Sequence, residues 1–173
     1  MIPANLPPHR AEPRVPAARR LDWVRLAIEN EPGLVADDRE LRRSGPSYTA
    51  DTLASLHAEF PDAALTLLLG ADAAAQLHTW HRWRDLPAMA QLVFFERPGI
   101  TLSLSAEVEA HLQKHRALPL LTLRALDISS TEIRQLLLTG RSLRGLVPET
   151  VLRSFTPEDL NQLNAQDETI PAR

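Results

Sequence analysis

Side chains that could bind phosphate, sugar or an aromatic ring gather in four short segments of this sequence. The first is residues 5–10, where prolines stiffen a loop that presents Asn5, His9 and Arg10. Adjacent hydrogen-bond donors on a rigid loop suit a phosphate group, because little ordering is needed when it binds. An exposed, extended N-terminus would explain the same residues.

A second segment, residues 45–52 (Gly-Pro-Ser-Tyr-Thr-Ala-Asp-Thr), gathers hydroxyl groups where a turn leads into a predicted helix. The first N–H groups of a helix have no partner within it, so they can receive a carboxylate or a phosphate. Tyr48 and Thr49 are therefore candidate binding residues. An ordinary helix N-cap would account for the same pattern.

The third segment begins with Gly70-Ala71-Asp72, directly after an apolar run. Glycine at the carboxyl end of a strand permits close backbone approach, and Asp72 could accept a hydrogen bond from a ribose hydroxyl. Trp80 could stack on a planar ring, although tryptophans more often pack in a core. His78 and His81 have no third ligand at suitable spacing, so no metal site is predicted.

The fourth segment is residues 127–134 (Asp-Ile-Ser-Ser-Thr-Glu-Ile-Arg). Ser129 with Glu132 three residues later forms a capping-box pattern, which predicts a helix start. The hydroxyls of Ser129 and Ser130, the unpaired N–H groups and Arg134 one turn further on could hold a phosphate chain. A plain cap followed by a surface arginine would explain these residues equally well.

Composition narrows the functions that these segments could serve. The chain has no cysteine, which excludes disulfides, zinc–thiolate sites and thiol catalysis and favours a cytoplasmic protein. The net charge of −3 argues against nucleic acid as the main partner. No apolar run approaches the roughly 18 residues of a membrane span, so no membrane association is expected.

Alternating strands and helices are predicted to position the four segments. Apolar residues at helical spacing indicate helices, and short apolar runs closed by turn residues indicate parallel strands buried on both faces. The predicted helices are residues 17–31, 49–60, 106–115 and 131–138, and residues 72–77 and 83–90 are compatible with helices. The predicted strands are residues 65–69, 92–95 and 121–126. This α/β pattern places ligands beyond the carboxyl ends of the strands.

In their order along the chain, the segments resemble bacterial nicotinate mononucleotide adenylyltransferases. That family shows P-P-H-(K/R), (G/A)-P-S-Y-T-x-x-T, G-x-D followed by T-W, R-P-G, and I-S-(S/A)-T-x-I-R before a V-P helix. This sequence carries Pro7-Pro8-His9-Arg10, residues 45–52, Gly70-Ala71-Asp72 with Thr79-Trp80, Arg97-Pro98-Gly99, residues 128–134, and Val147-Pro148. The resemblance extends as far as Phe155.

The resemblance implies a Rossmann-like nucleotidyltransferase fold, with a parallel sheet flanked by helices. It also implies transfer of the adenylyl group of ATP to nicotinate mononucleotide during NAD biosynthesis, with Mg²⁺ carried by the ATP phosphates. Trp80 would stack near the nicotinate ring, and the loop at Tyr48 and Thr49 would receive its carboxylate. The other implied contacts are Asn5, His9 and Arg10 to phosphate, Gly70 and Asp72 to the nucleotide, and Ser129, Ser130 and Arg134 to the ATP phosphates.

One family motif has no counterpart in this sequence. The family opens with a strand, a G-x-F-D-P-x-H-x-G-H helix start and a second strand, a unit of about 30 or more residues. We therefore expect the first strand–helix unit to be missing, and no catalytic residue is assigned. The expected organisation is a nucleotidyltransferase domain at residues 1–155 and a tail at residues 156–173, with a short helix followed by disorder.

Two other functions remain open from the residues alone. The chain could be a non-catalytic, nucleotide-binding remnant of the family. It could also adenylylate another substrate, such as phosphopantetheine, although Tyr48-Thr49 and Thr79-Trp80 better suit a pyridine ring.

Overall fold

The apolar runs form a parallel sheet in the computed structural model, which describes residues 1–8, 13–96, 99–115, 120–121 and 128–167. The strands are β1 Thr66–Gly70, β2 Gln91–Phe95 and β3 Leu120–Leu121. They lie in the order β1-β2-β3, with Leu68 opposite Val93 and Phe94 opposite Leu120. The predicted parallel sheet is confirmed, and the rest of the third predicted strand lies outside the described residues.

Helices precede, separate and follow these strands along the chain, as the sequence pattern predicts. Two short 3-10 segments, Leu77–Thr79 and Trp83–Asp85, lie between the fourth and fifth helices. The helices of the described residues are α1 Ala17–Ile28, α2 Arg39–Arg42, α3 Thr49–Glu59, α4 Ala71–Ala75, α5 Leu86–Met89, α6 Ala106–Lys114, α7 Ser130–Leu138, α8 Glu149–Ser154 and α9 Pro157–Asp167.

Residues 83–90, whose sequence is compatible with a helix, are divided between a 3-10 segment and a short α-helix. A 3-10 segment comes first, and α5 then begins at Leu86 with Pro87 in its first turn. Proline has no backbone N–H and clashes with the preceding turn, so it starts a helix more readily than it continues one.

The two long strands differ in how they are buried. Leu92 and Phe94 are fully buried on β2, and Val93 on its opposite face is also buried, as predicted. On β1, Leu69 is buried, but Leu68 is 63% exposed. The prediction that both faces of residues 65–69 are buried is therefore wrong, because β1 packs only the face with Leu67 and Leu69 on the core.

The described chain divides into two compact units. One is Tyr48–Asp127, which contains the sheet and a core with six fully buried large side chains: Leu77, Leu86, Leu92, Phe94, Val108 and Leu112. The other combines Met1–Ser47 with Ile128–Arg173. The expected boundary between residues 155 and 156 stays a prediction. A helix, α9, does occupy the expected tail, and residues 168–173 lie outside the described part.

In the unit that contains both ends of the chain, Arg19 of α1 holds the start of α9. Its Nε and Nη2 donate to the Asp159 carboxylate, with Nη2 at 2.7 Å from Oδ2, and Nη2 also donates to the Ser154 carbonyl. Asp159 further accepts from the backbone N–H of Thr156 at 2.8 Å and from its hydroxyl at 2.9 Å. These contacts join the last helix to the first.

Across the described residues, no helix combines the length and the apolar character needed to cross a membrane.

Candidate functional site

Helix α3 begins without a side-chain cap from its N-cap residue. Its N-cap residue, Tyr48, has extended backbone (φ −83°, ψ 130°), and its side chain makes no capping hydrogen bond. Thr52 N–H then donates to the Tyr48 carbonyl at 3.1 Å. An ordinary side-chain cap therefore does not explain this segment. The N–H groups ahead of Thr52 and the positive end of the helix dipole suit a carboxylate.

Two rings lie beside the start of α3. The Tyr48 ring packs on the His81 imidazole, with their centroids 4.3 Å apart and their planes 30° apart. His81 follows Trp80, whose backbone N–H donates to the Leu77 carbonyl at 3.0 Å. Trp80 is partly buried against the core, whereas Trp83 is a core residue, 5% exposed. The structure therefore brings the rings of Tyr48 and His81 together at the start of α3, and Thr49 and Trp80 are their neighbours in the chain.

Gly70 and Asp72 meet at the carboxyl end of β1, where α4 begins. A methyl group added at Gly70 would lie 2.9 Å from Oδ1 of Asp72 and 3.5 Å from the Phe95 ring. The absence of a side chain at Gly70 thus lets the carboxylate fold back over the end of the strand. This is the position at which ligands of parallel α/β sheets bind.

Asn5 is held by three separate contacts. Its backbone N–H donates to Ser47 Oγ at 2.8 Å, and its amide Nδ2 donates to the Arg43 carbonyl at 3.5 Å. Arg20 Nη2 donates to the Asn5 carbonyl at 3.3 Å, while Arg20 Nε donates to the Val15 carbonyl at 3.2 Å. Burial lowers the pKa of the Arg20 guanidinium.

Ser47 also fixes the backbone of Asn5 and Leu6. Its N–H donates to the Leu6 carbonyl at 2.9 Å, and its Oγ accepts from the N–H groups of Asn5 and Leu6. The backbone at Asn5 and Leu6 therefore has a defined path, and Ser47 is the residue directly before Tyr48 in the chain.

The start of α7 has the predicted cap. Ser129 Oγ accepts from the Glu132 N–H at 3.0 Å, and both Ser129 and Ser130 are exposed. Arg134 Nη2 donates to the Thr131 hydroxyl at 3.1 Å. Arg134 Nε is buried and has no hydrogen-bond partner among the described residues. A buried donor that is unsatisfied costs about 1–3 kcal/mol, so an acceptor brought by a ligand would be stabilising.

The predicted site residues are thus placed in two groups. Tyr48, Thr49, Gly70, Asp72 and Trp80 lie in the unit with the sheet. Asn5, Ser129, Ser130 and Arg134 lie in the unit with the chain ends. His9 and Arg10 lie outside the described residues. Within the described ranges, no three His, Cys, Asp or Glu side chains form a group that could hold a metal ion.

Two residues that the sequence analysis did not single out belong to these groups. Ser47 anchors Asn5, and His81 packs on Tyr48. The position of Ser47 within the hydroxyl-rich segment was a usable signal. His81 was considered only as a metal ligand, and nothing local in the sequence indicates that its ring contacts Tyr48.

The sequence profile of the cytidylyltransferase-like family matches residues 1–136 of this chain. A probable nicotinate-nucleotide adenylyltransferase of Halorhodospira halophila is 43% identical over 164 residues, which cover 87% of this chain and 75% of that protein. A probable nicotinate-nucleotide adenylyltransferase of Aeromonas hydrophila is 38% identical over 173 residues, covering 92% of this chain and 81% of that protein.

A solved structure gives an independent comparison of the fold. It is the nicotinic acid mononucleotide adenylyltransferase of Plasmodium falciparum in complex with NaAD. The TM-score is 0.62 at 16% sequence identity, and the match covers 96% of this chain and 79% of that chain. The predicted nucleotidyltransferase fold is confirmed.

Proposed function

This chain belongs to the cytidylyltransferase-like family and, within it, to the nicotinate-nucleotide adenylyltransferases, and we propose on that premise that it adenylylates nicotinate mononucleotide. An oxygen of the mononucleotide phosphate attacks the α-phosphorus of ATP. A new P–O bond forms, the bond to the β-phosphate oxygen breaks, and pyrophosphate leaves. The dinucleotide product is deamido-NAD.

The observation that carries this proposal is the start of α3. Its first N–H groups have no side-chain cap, and the rings of Tyr48 and His81 pack together beside them, next to Trp80. A helix N-terminus attracts a carboxylate, and neighbouring aromatic rings suit a flat heterocycle. Together they fit a pyridine ring that bears an acid group. An amide in the same position would turn N–H donors toward N–H donors.

The start of α7 supports binding of the ATP phosphates. Ser129 and Ser130 are exposed there, and the buried Arg134 Nε lacks a partner among the described residues. Helix N-termini and arginine are both suited to phosphate, since they supply fixed N–H donors and positive charge. These groups would stabilise the charge that develops on the departing pyrophosphate.

The remaining candidate residues supply positioning. We assign Gly70 and Asp72 to the nucleotide, because the carboxylate at the end of β1 can accept from a ribose hydroxyl. Asn5 is assigned to the mononucleotide phosphate, on a backbone fixed by Ser47 and Arg20. His9 and Arg10 are assigned to the same phosphate from the sequence alone.

Mg²⁺ is proposed to enter with ATP rather than to reside in a protein cage. It prefers oxygen ligands and usually keeps few contacts with protein beyond phosphate oxygens. The hydroxyl-rich start of α7 is compatible with a metal held by the nucleotide. When bound, the ion would neutralise phosphate charge. No catalytic residue is assigned in this sequence, and the cytoplasmic location stays a prediction.

The test is adenylyl transfer itself, followed as pyrophosphate release from ATP with either nicotinate mononucleotide or nicotinamide mononucleotide. We expect kcat/KM to favour the acid by about tenfold to a hundredfold, which corresponds to the cost of mispaired polar groups. Equal efficiency with the amide would contradict the proposal.

A variant pair isolates the start of α3. Thr49→Pro removes one N–H at the first helical position, where proline is tolerated and where the preceding extended Tyr48 suits it. Thr49→Ala removes the hydroxyl but keeps the N–H. Isothermal titration of both mononucleotides should show the acid preference falling about tenfold in Thr49→Pro and little change in Thr49→Ala. The opposite ranking would assign carboxylate recognition to the hydroxyl.

A further inference from the structure

Arg20 is a half-buried arginine whose side chain donates to two backbone carbonyl groups. It lies in the first turn of α1, where Nε donates to the Val15 carbonyl at 3.2 Å and Nη2 donates to the Asn5 carbonyl at 3.3 Å. A guanidinium group carries N–H donors on all three of its nitrogens. The donors on Nη1 have no partner in the described part of the chain, so they can bind a further acceptor.

The charge of Arg20 is not balanced by a carboxylate within the described ranges. Its neighbour Arg19 pairs with Asp159 at 2.7 Å, and Arg25 of the same helix pairs with Asp22 at 3.4 Å. The first turn of α1 contains no acidic residue. A partly buried charge without a counter-ion is costly to the folded state, so an anion close to Arg20 would be stabilising.

The helix itself gives no reason for a cation at this position. The first turn of a helix lies at the positive end of the helix dipole, where an arginine is less favourable than a neutral residue. The contacts that Arg20 makes outside the helix therefore explain its place better. One of them is the backbone of Asn5, which is already proposed to contact the mononucleotide phosphate.

We propose that Arg20 is a further binding residue for the mononucleotide phosphate and supplies the positive charge beside Asn5. This inference rests on the proposed function and deepens it. Ser47 Oγ accepts from the Asn5 N–H at 2.8 Å, so Asn5 and the guanidinium that contacts it are held in a fixed arrangement. A phosphate monoester carries nearly two negative charges at neutral pH and has three acceptor oxygens. A guanidinium that two carbonyls already hold loses little freedom when it binds such a group.

A purely structural role for Arg20 gives a different expectation. If the guanidinium only joins the Asn5 and Val15 carbonyls, its geometry matters and its charge does not. Arg20→Lys keeps the charge, but a single ammonium group cannot reproduce the fork of donors. Arg20→Met removes the charge and keeps a long apolar side chain. Arg25→Met is the matched control, because Arg25 is an exposed arginine five positions later on the same helix.

The experiment is isothermal titration of the full chain and its variants with nicotinate mononucleotide and with nicotinate riboside, which is the same molecule without the phosphate. The titrations are run at neutral pH and low ionic strength, where charge interactions are least screened. The ratio of the two affinities isolates the contribution of the phosphate. Thermal unfolding of each variant shows that the compared molecules are folded.

For Arg20→Met we expect the affinity for the mononucleotide to fall about tenfold or more, because a charge-assisted contact with phosphate is lost. Its affinity for the riboside should stay within about twofold of the wild-type value, since that ligand has no charge for Arg20 to attract. Arg20→Lys should bind the mononucleotide within about threefold of the wild type, because the attraction to a phosphate follows the charge. Arg25→Met should behave as the wild type does.

Two results would overturn the inference. One is an equal loss of mononucleotide affinity in Arg20→Lys and Arg20→Met, which would assign Arg20 to the structure of the loop. The other is a mononucleotide affinity in Arg20→Met that matches the wild type or falls by the same factor as its riboside affinity.

Titration of the same variants with nicotinamide mononucleotide separates this inference from the proposed function, because both mononucleotides carry the same phosphate. If the wild-type chain prefers the acid but Arg20→Met leaves the contribution of the phosphate unchanged, the inference is overturned and the proposed function stands. If acid and amide bind equally and Arg20→Met weakens both, the proposed preference is wrong and the assignment of Arg20 to phosphate stands. Absence of binding of either mononucleotide to the wild-type chain would overturn both.

Discussion

Arg134 is a half-buried residue, and the nitrogen atoms of its guanidinium group differ in their hydrogen bonding. Its Nη2 donates to the Thr131 hydroxyl, whereas its Nε is buried with no partner in the described part of the chain. Buried polar groups with a purely structural role usually have a hydrogen-bond partner within the protein. The incomplete hydrogen bonding instead suggests that a ligand completes it.

Arg134→Ala should therefore weaken ATP binding by about tenfold or more, since a charge-assisted contact is worth about 1.5–3 kcal/mol. The melting temperature should change little. Arg141→Ala is the matched control, because Arg141 is an exposed arginine seven positions later. Titration with ATP and thermal unfolding check both expectations. A collapse in melting temperature with unchanged ATP affinity per folded molecule would assign Arg134 to the fold.

At this scale the sequence predicts residues whose partners are close along the chain. The Ser129 cap was predictable because its partner, Glu132, is three residues away. The Tyr48–His81 contact was not, because the intervening strand and helices must fold before the two rings meet. The same limit applies to the contact between Ser47 and Asn5.

Among the elements, α1 and α9 are joined by an ion pair that the sequence of neither helix predicts on its own. Arg19 and Asp159 are 140 positions apart, and the Asp159 side chain is only 6% exposed. The hydrogen bond from Arg19, followed by those from Thr156, holds the pKa of the Asp159 carboxyl at about 2. The charged carboxylate is therefore favoured in the folded state.

Because the pKa of Asp159 is lower in the folded chain than its ordinary value of about 3.9, its stabilising contribution is present above pH 4. It is lost as the pH falls through about 2, when the folded carboxylate becomes protonated. We expect Asp159→Asn to lower the free energy of unfolding by about 2 kcal/mol at neutral pH and by much less near pH 2. Urea unfolding across this pH range measures the difference.

Asp22→Asn provides the control for that experiment. Asp22 pairs with Arg25 at 3.4 Å, but both side chains are more than half exposed, so solvent screens the pair. Its replacement should change stability by well under 1 kcal/mol at any pH. An equal loss in the two variants would show that Asp159 is not specially coupled to α9.

The positions of most elements were predictable, whereas their surroundings were not. Helical periodicity correctly indicated α1, α3, α6 and α7, and the apolar runs indicated β1 and β2. The same periodicity could not show that β1 lies at an edge of the described sheet. Burial depends on which segments pack against a strand, and an apolar run carries no information about that.

On the scale of the whole molecule, the two compact units do not simply follow one another along the chain. The first joins Met1–Ser47 to Ile128–Arg173, and the second is the stretch between them. Each boundary falls beside a short run of turn and hydroxyl residues, residues 44–47 and 129–131. Such runs also mark ordinary helix starts, so they do not by themselves indicate that the two ends of the chain pack in one unit, as the contacts between α1, α8 and α9 show.

The exposed edge of β1 should govern how the chain behaves at high concentration. Leu68 is 63% exposed on a strand that pairs on one side only within the described sheet. An edge strand with an exposed apolar side chain tends to pair with other chains, and lysine is a common natural defence. We therefore expect Leu68→Lys to reduce concentration-dependent self-association, measured by analytical ultracentrifugation. Because Leu68 contributes little to the core, the cost in stability should stay below about 1 kcal/mol.

Phe60→Lys is the control, since Phe60 is also exposed but follows α3 rather than lying in the sheet. Equal effects of the two substitutions would attribute association to general surface hydrophobicity, and no effect of Leu68→Lys would contradict an active role for the β1 edge.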